Sequence, residues 1–157
     1  MLQKTMAAMA ATVMLGSALA AEPTQVVKPP AAAAMPGLPR TASPPGAAVY
    51  IISPKDGETV TSPFTVVFGL RGMGVAPAGV DMENTGHHHI LIDTDLPVNL
   101  GMPLPADATH VHFGKGQTEA HVALPAGKHT LQLVLGDKLH VPFDPVVASP
   151  KITVTVK

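Results

Sequence analysis

Apolar and polar residues alternate with a period of two along most of the chain after residue 47. Phe64, Val66, Phe68 and Leu70 alternate with Thr65, Val67, Gly69 and Arg71. Leu131, Leu133 and Leu135 alternate with Gln132 and Val134, and Ile152, Val154 and Val156 with Thr153 and Thr155. Val122 and Leu124 point opposite to His121 and Ala123. Successive side chains of a strand point to opposite faces, so this pattern predicts half-buried strands and no amphipathic helix. Further short strands are expected at Val49–Ile52, His87–Asp93 and Thr109–Phe113. Pro125-Ala126-Gly127-Lys128 lies between two alternating runs and reads as a hairpin turn. About seven short strands without helical pattern predict an all-β, immunoglobulin-like β-sandwich. Two long loops interrupt it, Arg71–Gly86 with four glycines and Asp93–Ala108 with three prolines.

The pattern before residue 47 is different. Met1–Lys4 supply a positive start, Thr5–Ala20 run almost without polarity, and the run closes on Ala18-Leu19-Ala20. Residues 1–20 therefore read as a signal peptide cut between Ala20 and Ala21. The run falls short of the ~20 apolar residues that span a bilayer and contains Gly16 and Ser17, so no stable membrane insertion is expected after cleavage. Residues 21–46 hold Pro23, Pro29, Pro30, Pro36, Pro39, Pro44 and Pro45 with little that is bulky. Such a segment reads as an extended, semi-rigid spacer, with a proline-dependent docking motif as the other reading. Residues 47–157 are then one domain of ordinary size, exported to the periplasm or secreted.

Composition narrows the chemistry. The 157 residues include no cysteine, which excludes disulfides, thiolate metal sites, iron–sulfur clusters and cysteine nucleophiles. Ten Lys and Arg against eleven Asp and Glu leave a formal charge of -1, and aromatics are 3%. Neither an electropositive surface nor stacking platforms for nucleic acid follow from that. Neither a zincin helix motif nor a nucleophile-elbow glycine pattern is present, and Ser53, Ser62 and Ser149 each precede a proline as turn residues do. No catalytic residue is assigned.

All eight histidines lie between positions 87 and 140: His87, His88, His89, His110, His112, His121, His129 and His140. On a strand His87 and His89 share one face and His88 takes the other; His110 and His112 share a face likewise. Residues i and i+2 stand roughly 6.5–7 Å apart, close enough for two imidazoles to lean onto one ion. Pairing of the two segments would converge four imidazoles, so His87, His89, His110 and His112 are the expected metal ligands. Asp93, on the face of His87 and His89, would add an oxygen or orient a ring. His121 is expected to face solvent, and His129 follows a turn. An imidazole-rich, thiolate-free set suits copper(II) first and zinc second. Met73, Met82 and Met102, all in the two loops, either assist copper(I) or pack there.

Several blocks together resemble a known family. They are Val49-Tyr50-Ile51-Ile52-Ser53-Pro54-Lys55-Asp56-Gly57, Asn84-Thr85-Gly86-His87-His88-His89-Ile90-Leu91-Ile92-Asp93, and His110-Val111-His112-Phe113-Gly114-Lys115-Gly116-Gln117-Thr118-Glu119. Gly127-Lys128-His129-Thr130-Leu131-Gln132-Leu133 and Gly136-Asp137 followed by His140 complete the set. They resemble an exported bacterial histidine-rich family catalogued as a domain of unknown function, class 4399. The resemblance covers residues 49–157 and implies a small secreted or periplasmic domain. It brings no established activity. His87, His88, His89, His110, His112, His129 and His140 fall on its histidine pattern, whereas His121 is an extra. Three readings follow: a copper- or zinc-binding module without turnover, a structural or adaptor domain whose histidines pack or sense pH, and a copper metalloenzyme. The last rests on His110-Val111-His112-Phe113-Gly114, which resembles the His-Val-His segment of copper–zinc superoxide dismutases.

Overall fold

The computed structural model describes residues 36–157. The expected signal peptide, and the expected spacer up to residue 35, lie outside the described residues. Nine strands follow one another without a helix among the described residues. They are β1 (Ala48–Ser53), β2 (Thr59–Val60), β3 (Phe64–Arg71), β4 (Gly74–Val75), β5 (Thr85–Ile92), β6 (His110–His112), β7 (Glu119–Val122), β8 (Gly127–Gly136) and β9 (Ile152–Val156). No helix among the described residues is long and apolar enough to cross a membrane.

The strands form two sheets, one in the order β1-β3-β7 and a larger one in the order β2-β9-β8-β5-β4, with β6 also paired to β5. The fold is an immunoglobulin-like β-sandwich. Its additional strands, β2 and β4, are two residues each, too short to leave an alternating signature. Between the sheets, Phe64, Val66 and Phe68 of β3 and Val49 of β1 meet Ile90 and Ile92 of β5, Leu131, Leu133 and Leu135 of β8, and Val154 and Val156 of β9. Burying each such side chain stabilises the fold by about 1.5–3 kcal/mol.

The run Pro125–Lys128 is not a hairpin turn. β7 pairs with β3, whereas β8 pairs with β5 and β9, so the segment carries the chain from one sheet to the other. Turn chemistry at Pro125 and Gly127 specifies a reversal but not the strand that receives it.

β5 is central to the larger sheet and buried over Gly86–Ile92. It pairs with β8 from His87↔Gly136 to Ile92↔Leu131, and with β6 from His89↔His112 to Leu91↔His110. His88, Ile90 and Ile92 therefore face the inter-sheet core, and His87, His89 and Leu91 face outward. That outward face is also buried, because Leu91, Val134 and Leu104 form a second apolar cluster with Leu96, Val146 and Ala148. Leu96 and Leu104 come from the expected long loop after Asp93. Val146 and Ala148 come from a third long irregular stretch, residues 137–151, in addition to the two expected ones.

Of residues 36–46, placed in the spacer by composition, 40–43 run along this third stretch and bond to it, while Leu38 N donates to Gly101 O at 2.6 Å. Arg40 Nε donates to Pro142 O at 3.0 Å, and Ala42 makes a parallel bridge to Asp144.

Candidate metal centre

The outward face of β5 gathers four imidazoles. His87 and His89 come from β5, His112 from β6 and His140 from the turn after β8, and one ligand atom from each lies within 4.8 Å of the others. His89 is directly opposite His112 in the β5–β6 ladder, which explains two of the four by register alone. His87 Nε2 lies 3.0 Å from His89 Nε2 and 3.1 Å from His140 Nδ1. Ring centroids are 4.7 Å apart for His112–His140 and 5.0 Å for both His87–His112 and His89–His112.

Two glycines make room for this packing. A Cβ on Gly136, which pairs with His87, would stand 2.9 Å from His89 Nε2. A Cβ on Gly114 would stand 2.2 Å from His112 Cε1. Both contacts are closer than real Cβ atoms come, so the rings occupy space that only glycine leaves open.

His140 reaches the cluster from a strained backbone, with φ 67. A non-glycine residue in that region costs on the order of 1–3 kcal/mol and persists where its surroundings enforce it. Here Asp137 enforces it. The Asp137 carboxylate accepts hydrogen bonds from the amides on either side of His140, Leu139 N at 2.8 Å and Val141 N at 3.0 Å. The turn is closed further by Asp137 N donating to Val141 O and His140 N to Asp137 O, both at 2.9 Å.

Hydrogen bonding alone does not satisfy the cluster. His87 Nδ1, His89 Nδ1 and His112 Nε2 are buried without a partner. A neutral imidazole carries one N–H. If that proton is on His87 Nδ1 it is an orphaned buried donor, and if on Nε2 it must serve two nitrogens at once. A cation among the four would take up the lone pairs of His87 Nε2, His89 Nε2 and His140 Nδ1, which otherwise face one another, and would leave the N–H of His87 and His89 on Nδ1. Tetrahedral coordination at ~2.0–2.1 Å separates ligand nitrogens by roughly 3.3 Å, close to the 3.0 and 3.1 Å contacts found here.

Electrostatics keep those lone pairs free. Burial, then the neighbouring imidazoles of His140 and His112, push His87 from 6.5 down to about 4. Burial and the same crowding push His89 down to about 2, and His112 is lowered for the same two reasons. Desolvation disfavours an imidazolium, and each protonated ring repels the next. Neutral imidazole is the metal-binding form.

Two residues expected as ligands stand elsewhere. His110 shares a face with His112, but its Nδ1 is 3.0 Å from Asp107 Oδ1 and 3.1 Å from Thr109 Oγ1, and it pairs with Leu91 beyond the end of the cluster. Asp93 has φ 54, which turns the chain out of β5. Its carboxylate accepts from Thr130 N at 2.7 Å and lies 2.7 Å from His129 Nδ1, so the ring it orients is His129. The geometry thus puts His140 where His110 and Asp93 were expected. The signal for His140 was Gly136-Asp137 ahead of it, a glycine and a turn acid at the end of a strong strand.

The remaining histidines have other surroundings. His88 packs against Phe68 with centroids 5.0 Å apart, and its Nδ1 is 3.2 Å from Gln117 O. His121 is exposed and 3.1 Å from Thr65 Oγ1. Met73 packs on the core, while Met82 and Met102 are exposed.

No curated protein matches the chain. Among solved structures it is similar to an endo-β-1,4-mannanase from Thermotoga petrophila, at 17% identity and TM-score 0.42 over 71% of this chain. The chain spans 20% of the length of that mannanase. It is also similar to fibronectin(III)-like modules of Clostridium thermocellum CbhA, at 14% identity and TM-score 0.30 over 69% of this chain and 92% of that one. The profile of one family, described as a domain of unknown function (DUF4399), matches residues 66–157, which include every histidine of the cluster, and the chain belongs to that family.

Proposed function

We propose that this protein is an exported metal-binding module that holds one copper ion, with zinc as the second choice, and performs no turnover. The observation that carries the reading is the convergence of one ligand nitrogen each from His87, His89, His112 and His140 within 4.8 Å, with His87 Nε2 3.0 Å from His89 Nε2 and 3.1 Å from His140 Nδ1. Four imidazoles without thiolate suit copper(II) or zinc, and copper(II) heads the affinity order for nitrogen ligands. Four protein ligands fill a tetrahedral site, as in structural centres, whereas catalytic centres keep a position open for water or substrate. For zinc(II) that favours holding or buffering an ion over turnover.

The test is direct. The purified chain is dialysed against copper(II) or zinc(II) and analysed for bound metal, with calorimetry supplying the affinity. One equivalent bound tightly is expected, with copper(II) preferred. A chain that retains neither metal would leave the histidines to packing or pH response.

Export rests on the apolar run closing on Ala18-Leu19-Ala20. N-terminal sequencing of material from the cell envelope or medium should begin at Ala21. Intact Met1 on membrane-bound protein would refute cleavage.

A further inference from the structure

The turn that presents His140 is held from outside the family-matched region. Residues 40–44 lie across the segment Asp137–Pro145 through a set of specific bonds. Thr41 Oγ1 donates to Asp137 Oδ2 at 2.7 Å, using the carboxylate oxygen that the two amides flanking His140 leave free. Arg40 bonds Pro142 O and Phe143 O and pairs with Asp144 at 3.1 Å. Ser43 N donates to Asp144 O and Asp144 N to Thr41 O, each at 2.9 Å. Asp137 is 4% exposed, so its carboxylate depends on these partners rather than on water.

We propose that residues 40–44 form a strap whose docking is coupled to metal capture, with Thr41 as the positioning residue. The proposal rests on the metal-binding reading above. Thr41 fixes the Asp137 carboxylate, the carboxylate fixes the left-handed backbone of His140, and His140 completes the ligand set. Coupling between two binding equilibria is reciprocal. A docked strap tightens metal binding, and a bound metal, by anchoring His140, tightens the strap. The strap joins the domain to the proline-rich segment before it, so an ion bound at the four histidines would be felt where that segment meets the fold.

The experiment uses the full chain and zinc(II), which has no redox chemistry of its own. Thr41→Val removes the hydroxyl at nearly constant volume, and Thr41→Ser keeps it. Loss of a hydrogen-bonding group behind a ligand typically weakens metal affinity 10–100-fold. Thr41→Val is expected near the lower end, about tenfold, with Thr41→Ser close to the unaltered chain. A second measurement needs no variant: amide hydrogen exchange with and without zinc(II). The Ser43 and Asp144 amides should slow more than those of Gly57 and Thr155, which bond at the distant β2–β9 end. A strap that merely stabilises the fold would slow all four alike. Equal affinities for the unaltered and Thr41→Val chains, or uniform slowing, would overturn the coupling while leaving the metal site in place. No zinc(II) or copper(II) binding by the unaltered chain would overturn the site and the strap together.

Discussion

Replacing His112 and His140 together by alanine is expected to abolish stoichiometric copper(II) and zinc(II) binding, while replacing His110 leaves it unchanged. His112 and His140 are the two members of the cluster that are only partly buried, so their removal least disturbs the core. Structural four-ligand sites contribute about 10–16 kcal/mol of apparent binding energy at neutral pH, so each ligand accounts for roughly 3 kcal/mol. Loss of one should weaken binding about a hundredfold, and loss of two about ten-thousandfold. His110 sits on the same strand and the same face as His112 but engages Asp107 and Thr109, which makes His110→Ala the informative control. His121→Ala, exposed on the other sheet, is the second control. The measurement is calorimetric titration of each variant with both metals. Unchanged affinity in the double variant, or an equal loss in His110→Ala, would remove the four-histidine site.

The contrast between His110 and His140 shows what a sequence makes legible. Period-two alternation assigns His87 and His89 to one face and His88 to the other, and β5 has that arrangement: His88 meets Phe68 in the core while its neighbours face outward. Alternation also puts His110 and His112 on one face, but a shared face does not say how far along it a partner strand extends. The register His89↔His112 leaves His110 beside Leu91, two pairs past the last β5 histidine. His140 lies in no alternating run. Its contribution depends on φ 67 and on a carboxylate three residues earlier, features of a turn that carry no periodic signature. Asp93 lies apart from the four histidines for a related reason, because its own positive φ takes it out of the strand whose face it was expected to continue. The same divide runs through the fold. Long alternating strands such as β3 and β8 were readable. The destination of the turn at Pro125–Lys128 was not, because partner choice is made by the hydrophobic faces of distant strands.

The metal-free protein is expected to lose stability steeply as pH falls from about 6.5 towards about 4. His87 and His89 are held at about 4 and about 2 in the fold by burial and by mutual repulsion, against 6.5 in the unfolded chain. Between these values the unfolded chain binds more protons than the folded one, so stability rises with pH there. The contribution is complete above about 6.5 and disappears as pH drops through the folded values. Each depressed ring adds to this acid sensitivity, and a domain typically has only about 5–15 kcal/mol of stability to lose. His129 acts with the opposite sign. Its hydrogen bond to Asp93 raises it, so its contribution is complete below about 6.5 and lost as pH rises through its folded value. His129 is one ring at the surface, whereas the cluster holds buried ones, so the acid loss dominates. Denaturant unfolding of the metal-free chain at a series of pH values should show a midpoint that falls on acidification, less so in His89→Gln, which removes a titrating ring at similar length. Because protons compete with metal for the same lone pairs, the lowered values of His87, His89 and His112 also predict that zinc(II) affinity falls less between about pH 7.5 and about pH 5.5 than it would at ordinary histidines. Four ordinary surface histidines would instead begin to release the ion near pH 6.5. An unfolding midpoint flat across this range would mean that His87 and His89 are not buried side by side.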